Sequence, residues 1–377
     1  MKKGGRLVDQ MKALLLNPYH IGSHAHWAKG MQKHLSQIPG TAVELWTMPG
    51  RHWKWRMHGG GGEFARQAAA ASSSPDLILT TDMLDVASLK GLLPAAWRNV
   101  PIVQYFHENQ LTFPWNEGDA EKVRGLHHTY QFINIQSAVA ADWVWFNSSY
   151  HRDVFIQAAE QFIKRMPDCK AGYSMNTLAK KSSVLPVGID APAAVDVERP
   201  VGTPPTILWN HRWSNDKGPD KFTEHLNDLE AEGHDFRLIL CGQKFAEVPP
   251  ELQSIRQRYL DRILHDGYAD SHEMYTDLLQ SSDFVLHEPV QEYFGVSVAE
   301  AMSHGVIPIL KSAQAYPSWV PNAFLFKQAE ERTAHWVNWQ KDVLHGRTLA
   351  HATATKFYWP HVAHTAHEEI HSLFNLG

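Results

Sequence analysis

Apolar runs bounded by turn residues alternate with stretches of helical periodicity along most of this chain. The segment "KALLLNPY" (12–19) reads as a buried strand that breaks at Pro18, and "GSHAHWAKGMQKHLSQ" (22–37) as a loop entering a helix. Further strands are expected at "AVELWTM" (42–48), "PDLILTTD" (75–82), "VPIVQYFHEN" (100–109), "ADWVWFNSS" (141–149) and "SSVLPVGID" (182–190), with helical stretches between most of them. Strand alternating with helix predicts a parallel sheet covered on both faces. A proline-rich stretch without periodicity, residues 190–205, then reads as a linker.

The pattern restarts beyond it. Strands are expected at 206–212, 236–242, 262–268, 283–289 and 306–310, and helices near 219–232, at 272–282 and from about 296. The last segment, from about 330, looks helical and is expected to cross back to the first domain. The resulting plan is α/β, with two Rossmann-like doubly wound domains facing a central cleft. Residues 1–10 are an expected disordered extension, with Met11 as an alternative start. An acceptor-side domain covers 11–190, a linker 191–205, a second domain 206–345 and a helical tail 346–377. Ligands of such sheets bind beyond the strand C-termini.

Composition narrows the class. Hydrophobic content of 44% and charged content of 20% are those of an ordinary globular protein. A net charge of −5 argues against coating nucleic acid through bulk charge, but leaves a local basic site open. Cys169 and Cys241, the only cysteines, suggest neither a disulfide framework nor a cysteine-rich zinc site. The apolar stretch Ala13–Leu16 is too short for a signal peptide or a membrane span, so a cytoplasmic protein without membrane attachment is expected.

The most informative stretch is "QEYFGVSVAEAMSHGVIPIL" (291–310). A strand ends at His287, a loop carries Glu292, Phe294 and Gly295, and a helix starts near Val296 and ends at Gly305. The free N–H groups and positive dipole end of that helix suit a diphosphate. Glu292 and Glu300 flank the same ligand and, as carboxylates, suit neutral hydroxyls. Two glutamates at this spacing are common in themselves; their setting is what carries information. A second basic stretch, "WNHRWSNDKGPDKF" (209–222), places Arg212 and Lys217 just after the first strand of the second domain. Alone it reads first as a solvated basic loop.

The segment "PGRHWKWRMHGG" (49–60) is a dense mixture of cations and indoles. Trp53 and Trp55, two apart, would share one face of an edge strand. The sharper reading is an acceptor-binding loop, since indole and guanidinium planes stack on bases and cations meet phosphates.

The glutamate pair in its setting resembles the pattern of retaining nucleotide-sugar glycosyltransferases with the GT-B fold. "GSH" (22–24), "HWKWR" (52–56), "FHENQL" (106–111), "FNSSYH" (146–151), "HRWSNDK" (211–217) and "EYFGVSVAEA" (292–301) together resemble a narrower family, the tRNA-queuosine α-mannosyltransferases, over nearly the whole chain. The resemblance implies transfer of mannose from GDP-mannose to queuosine in the anticodon loop of an aspartate tRNA. It implies Arg212 and Lys217 on the diphosphate, Glu292 on the sugar, Glu300 on the ribose and His107 against the transferred sugar. Gly22, Ser23, Phe294, Gly295 and Val296 complete the donor site. Acceptor contacts fall on Arg51, Trp53, Lys54, Trp55, Arg56, Glu108 and Asn109. No cofactor and no metal are expected, because the cation pair replaces the ion and no Asp-x-Asp pair is placed to hold one. Rival readings are a glycosyltransferase with a lipid, saccharide or small-metabolite acceptor, and a non-catalytic RNA- or sugar-nucleotide-binding protein. An epimerase of related architecture is disfavoured by the motif at 292–300.

Overall fold

The computed structural model describes residues 10–115, 118–193, 203–243 and 248–374. All but Gln10 of the expected extension, and most of the expected linker, lie outside them. The chain divides into two compact units, Met1–Gly188 with Trp359–Gly377, and Ile189–Tyr358.

The first unit runs β1 (Met11–His20), α1 (Gly22–Leu35), β2 (Thr41–Pro49), α2 (Trp53–Ala70), β3 (Leu77–Thr81), α3 (Val86–Leu92), β4 (Ile102–Phe106), α4 (Ala120–Val123), α5 (His127–Ala140), β5 (Trp143–Phe146), α6 (Ser149–Lys164), α7 (Met175–Lys180) and β6 (Ser182–Val184). Its six strands pair in parallel in the order β2-β1-β3-β4-β5-β6. β1 does not stop at Pro18. It continues to His20 through an irregularity between Asn17 and His20, where its register against β2 shifts.

The second unit runs β7 (Thr206–Trp209), α8 (Pro219–Ala231), β8 (Arg237–Cys241), α9 (Pro250–Arg258), β9 (Ile263–Gly267), α10 (His272–Gln280), β10 (Phe284–His287), α11 (Val296–Ser303), β11 (Ile307–Lys311), β12 (Leu325–Phe326), α12 (Glu331–Lys341) and α13 (Val343–Ala354). Its parallel order is β12-β11-β10-β7-β8-β9. The order reverses between β7 and β10, and in the first unit between β1 and β3. Loops that leave neighbouring strands on opposite sides of such a switch point frame a ligand crevice.

The strands read as unbroken apolar runs because both faces are covered. Along β1, Leu14 and Leu16 join a core with α2, α3, α5 and α6. Ala13 and Leu15 join the opposite core, with α1 and the last helix, α14 (Trp359–Phe374). α14 therefore belongs to the first unit. Trp359, 1% exposed, fills the space over two glycines: a Cβ on Gly30 or on Gly188 would lie 2.2 Å from its ring. Glu369 of α14 accepts hydrogen bonds from the indoles of Trp143 (3.1 Å) and Trp145 (2.8 Å) on β5. The return to the first unit falls at Tyr358/Trp359 and not at 345/346. α13 stays with the second unit, where Gly346 sits close against Ile307 and Trp339.

Residues 53–70 form neither the edge strand nor the loop expected of the basic–aromatic segment. They form helix α2, entered through His52 in a left-handed conformation (φ 57°). Glycine costs about 1 kcal/mol relative to alanine in a helix, so four in succession need a packing reason. A Cβ at Gly61 would stand 3.0 Å from the Leu89 amide nitrogen and 3.1 Å from the Asp85 carbonyl oxygen of the neighbouring α3 turn. One at Gly59 would stand 2.9 Å from the Trp55 indole. The glycines let α2 lie backbone-close on α3, with the Trp55 ring flat along its own helix.

Candidate functional site

In the second unit the loops after β7 and β10 are laced together at the switch point. Gly218, at φ 69°, lies so close to the Glu288 carbonyl oxygen that a Cβ would approach to 2.2 Å. The Val290 amide donates to the Asp216 carbonyl at 3.0 Å. This lacing brings Lys217 to Glu292: Nζ stands 2.8 Å from Oε2. The other Glu292 oxygen, Oε1, accepts the Gly295 amide at 3.0 Å, so the carboxylate also closes the loop that starts α11. Burial opposes ionisation of Glu292, but the Lys217 charge and hydrogen bond outweigh it and hold the carboxyl below the usual range.

Arg212 is 41% exposed, and its guanidinium lies 2.8 Å from Asp216 Oδ2. Ser214 donates to the other Asp216 oxygen at 2.6 Å. Both predicted clamp cations thus face a carboxylate, Arg212 one of its own loop and Lys217 one of the loop after β10. Gly295, at φ 93°, has the Tyr316 ring where a side chain would be, 2.7 Å from a built Cβ. Tyr316 is hydrogen-bonded to His287 Nδ1. His287 stacks on His211 at 3.7 Å, and His211 meets Ser297 Oγ at 2.8 Å. Burial pushes both histidines well below their ordinary pKa, leaving two neutral rings beneath the loop.

Glu300 lies one turn into α11, and its Oε2 accepts the Tyr275 hydroxyl at 2.8 Å. Burial raises its pKa to about 7, against the Tyr275 hydrogen bond and with help from the Asp190 charge. The Phe294 side chain is only 3% exposed, packed on Trp319 and Phe357. That ring is taken up by this packing, against the donor contact expected of it.

In the first unit Gly22 opens α1 at φ 52°, and Ser23 beside it is exposed. The His107 amide donates to Asp82 Oδ1 at 2.9 Å, and its ring packs on those of Trp27, Tyr105 and His24. Burial lowers the His107 pKa strongly and raises that of Asp82. His24, Asp82 and His107 offer ligand atoms within 4.8 Å of one another, close enough to hold a metal ion. Sequence reading missed His24 and Asp82 as partners of His107. Their signal was position: they follow β1, β3 and β4, adjacent strands, at the C-terminal edge.

The acceptor candidates separate into two sets. Trp53 packs against Trp115 and Tyr130, and Lys54 is paired with Asp119 (3.1 Å) and Glu121 (3.0 Å). Asn109 is fully buried, and its side-chain oxygen accepts the Leu111 and Thr112 amides, both at 3.0 Å. These three make their contacts within the fold of the first unit. Glu108 is half-buried, and Gln110 donates to it at 3.4 Å. Arg51 is exposed, Trp55 is 64% exposed, and Arg56 is half-buried with its Nε 3.4 Å from the Pro49 carbonyl. Among the described residues no helix is long and apolar enough to cross a membrane.

Residues 12–189 match the family described as tRNA-queuosine alpha-mannosyltransferase N-terminal, and residues 192–339 match glycosyl transferases group 1. The chain is 28% identical over 339 residues to a tRNA-queuosine alpha-mannosyltransferase of Drosophila melanogaster, covering 86% of each chain. It is 26% identical over 197 residues to a GDP-mannose:cellobiosyl-diphosphopolyprenol alpha-mannosyltransferase of Xanthomonas oryzae, covering 48% of this chain and 52% of that one. Among solved structures it is similar to a sucrose-phosphate synthase of Thermosynechococcus elongatus (TM-score 0.67, 15% identity, 97% of this chain and 100% of that one). It is also similar to a glycosyltransferase of Rickettsia africae (TM-score 0.64, 14% identity, 97% and 99%). At such identities the structural likeness speaks for the fold alone, which is GT-B.

Proposed function

Because the chain belongs to the tRNA-queuosine alpha-mannosyltransferase family, we propose that this hexosyltransferase moves mannose from GDP-mannose to queuosine in the anticodon loop of tRNA(Asp), with retention. The observation that carries the acceptor is the match of residues 12–189, the acceptor-side half, to the family's own N-terminal domain. The Xanthomonas relative's name supports GDP-mannose as donor.

In this reading Lys217 and Arg212 stabilise the diphosphate as it departs, together with the N-terminus of α11. Glu292, held ionised by Lys217, orients sugar hydroxyls, and Glu300 takes the ribose. On the first domain, His107 is assigned contact with the transferred sugar, and Gly22 and Ser23 contact with the phosphates. The bond from the anomeric carbon to the β-phosphate oxygen breaks, and the acceptor hydroxyl oxygen bonds that carbon on the same face. Its proton passes to the departing phosphate oxygen, giving GDP and the glycosylated nucleoside.

The test offers the enzyme tRNA with and without queuosine, together with several nucleotide sugars, and weighs the released nucleosides. A queuosine heavier by one hexose, formed only with GDP-mannose, is expected. Hexose transfer to tRNA lacking queuosine, or none to tRNA at all, would replace the acceptor reading.

Three further outcomes are expected. Transfer continues in excess chelator, because the cation pair holds the diphosphate; abolition by chelator and recovery with magnesium, manganese or zinc would overturn this. Arg56→Ala weakens tRNA binding and flattens its salt dependence through loss of a phosphate contact. Trp55→Ala weakens tRNA binding by about 1–3 kcal/mol through loss of a stacked base. Trp55 is exposed along α2, so its removal leaves the melting temperature within a few degrees. Unchanged tRNA affinity in both variants would make this face plain surface.

A further inference from the structure

We infer that Tyr275 is a positioning residue that sets the Glu300 carboxylate for the donor ribose; this rests on the assignment of Glu300 to the ribose made above. Three elements of the second unit converge here. Tyr275 of α10 donates its hydroxyl proton to Glu300 Oε2 of α11 at 2.8 Å. Asn210, just after β7, donates through Nδ2 to the Tyr275 hydroxyl oxygen at 3.1 Å and to the Ser297 carbonyl at 2.8 Å. Asn210 is 8% exposed, and the phenol is buried enough to stay protonated far above its ordinary pKa. The chain of donors therefore has one direction: Asn210 to Tyr275 to Glu300.

A phenol has one proton, and here it is committed to one carboxylate oxygen. Oε2 is fixed in place, and Oε1 has no hydrogen bond among the described residues. A fixed carboxylate with accepting capacity left on both oxygens matches the two adjacent hydroxyls of a ribose. The contrast with Glu292 is instructive. Lys217 meets Glu292 with a full positive charge, whereas Tyr275 holds Glu300 through a neutral hydroxyl and leaves its other oxygen to accept. A residue that merely packed here would need no hydroxyl, and Asn210 would have no reason to reach it.

Tyr275→Phe keeps the ring and deletes only the hydroxyl. Isothermal titration of GDP and of 2′,3′-dideoxy-GDP into wild type, Tyr275→Phe and Glu300→Gln separates the possibilities. Wild type is expected to prefer GDP over the dideoxy form by at least about tenfold, and Glu300→Gln to lose that preference. Tyr275→Phe is expected to lose roughly tenfold in GDP affinity while binding the dideoxy form as wild type does. Equal losses for both nucleotides, or no loss for either, would overturn the inference while the ribose assignment stands. If wild type itself does not distinguish the two nucleotides, the ribose assignment falls and the inference falls with it.

Discussion

Lys217→Ala is expected to lower kcat/KM for transfer by roughly 10²–10³-fold, the effect of losing about 2.7–4 kcal/mol of stabilisation of a developing anion. The loss is twofold in origin. The ammonium no longer meets the departing diphosphate, and Glu292, whose side chain is 13% exposed, loses the partner 2.8 Å away that keeps it ionised. Arg212→Ala is expected to be damaging but milder, because Asp216 keeps its bond from Ser214 and Lys217 remains near it at 3.8 Å. Both variants should melt close to wild type, since Arg212 is 41% exposed and Lys217 sits in loops also fixed by Gly218 and the Val290–Asp216 bond. Steady-state kinetics with melting curves decide the matter. Near-wild-type turnover in both would remove the pair from the donor site.

The largest stability effect is expected at Trp359, far from the motifs. Trp359→Ala should cost about 3–5 kcal/mol, a large share of a typical domain's stability. Its ring is stacked on His34 at 5.9 Å and fills the space beside Gly30 and Gly188, neither of which has a side chain to collapse into the hole. Trp359→Phe should fall between the two. Urea unfolding measures it, with the transition of the first unit moving to lower denaturant. A loss under about 1 kcal/mol would show that α14 is not a core element of that unit.

Much of this architecture was legible because parallel strands buried on both faces announce themselves as apolar runs. The stretch 283–310 was equally plain, as strand, loop, helix and terminal glycine lie in one continuous piece of chain. What stayed hidden depended on contacts between distant positions. The run Gly59–Gly62 argued locally against a helix, and only the approach of the α3 backbone to Gly61 makes α2 favourable. Lys54 looked like a free cation because Asp119 and Glu121, which hold it, are 65 or more positions away. Tyr275 carries no motif, and Asn210 sits unremarked inside the stretch 209–222; both are found by following the bonds of Glu300 outward.

The return of α14 to the first unit has a consequence for the order in which the molecule can be made. Strands β1–β6 leave the ribosome before the second unit, yet the helix that shares a core with Leu15, Trp27 and Met31 follows it. All of residues 189–358 must be synthesised in between, an interval of roughly ten to thirty seconds at ordinary elongation rates. Throughout that interval this face of the nascent first domain has α1 but lacks α14. The first domain is therefore completed only after the whole of the second unit has been made, and the half-covered face it presents meanwhile is where a nascent-chain chaperone would have work to do.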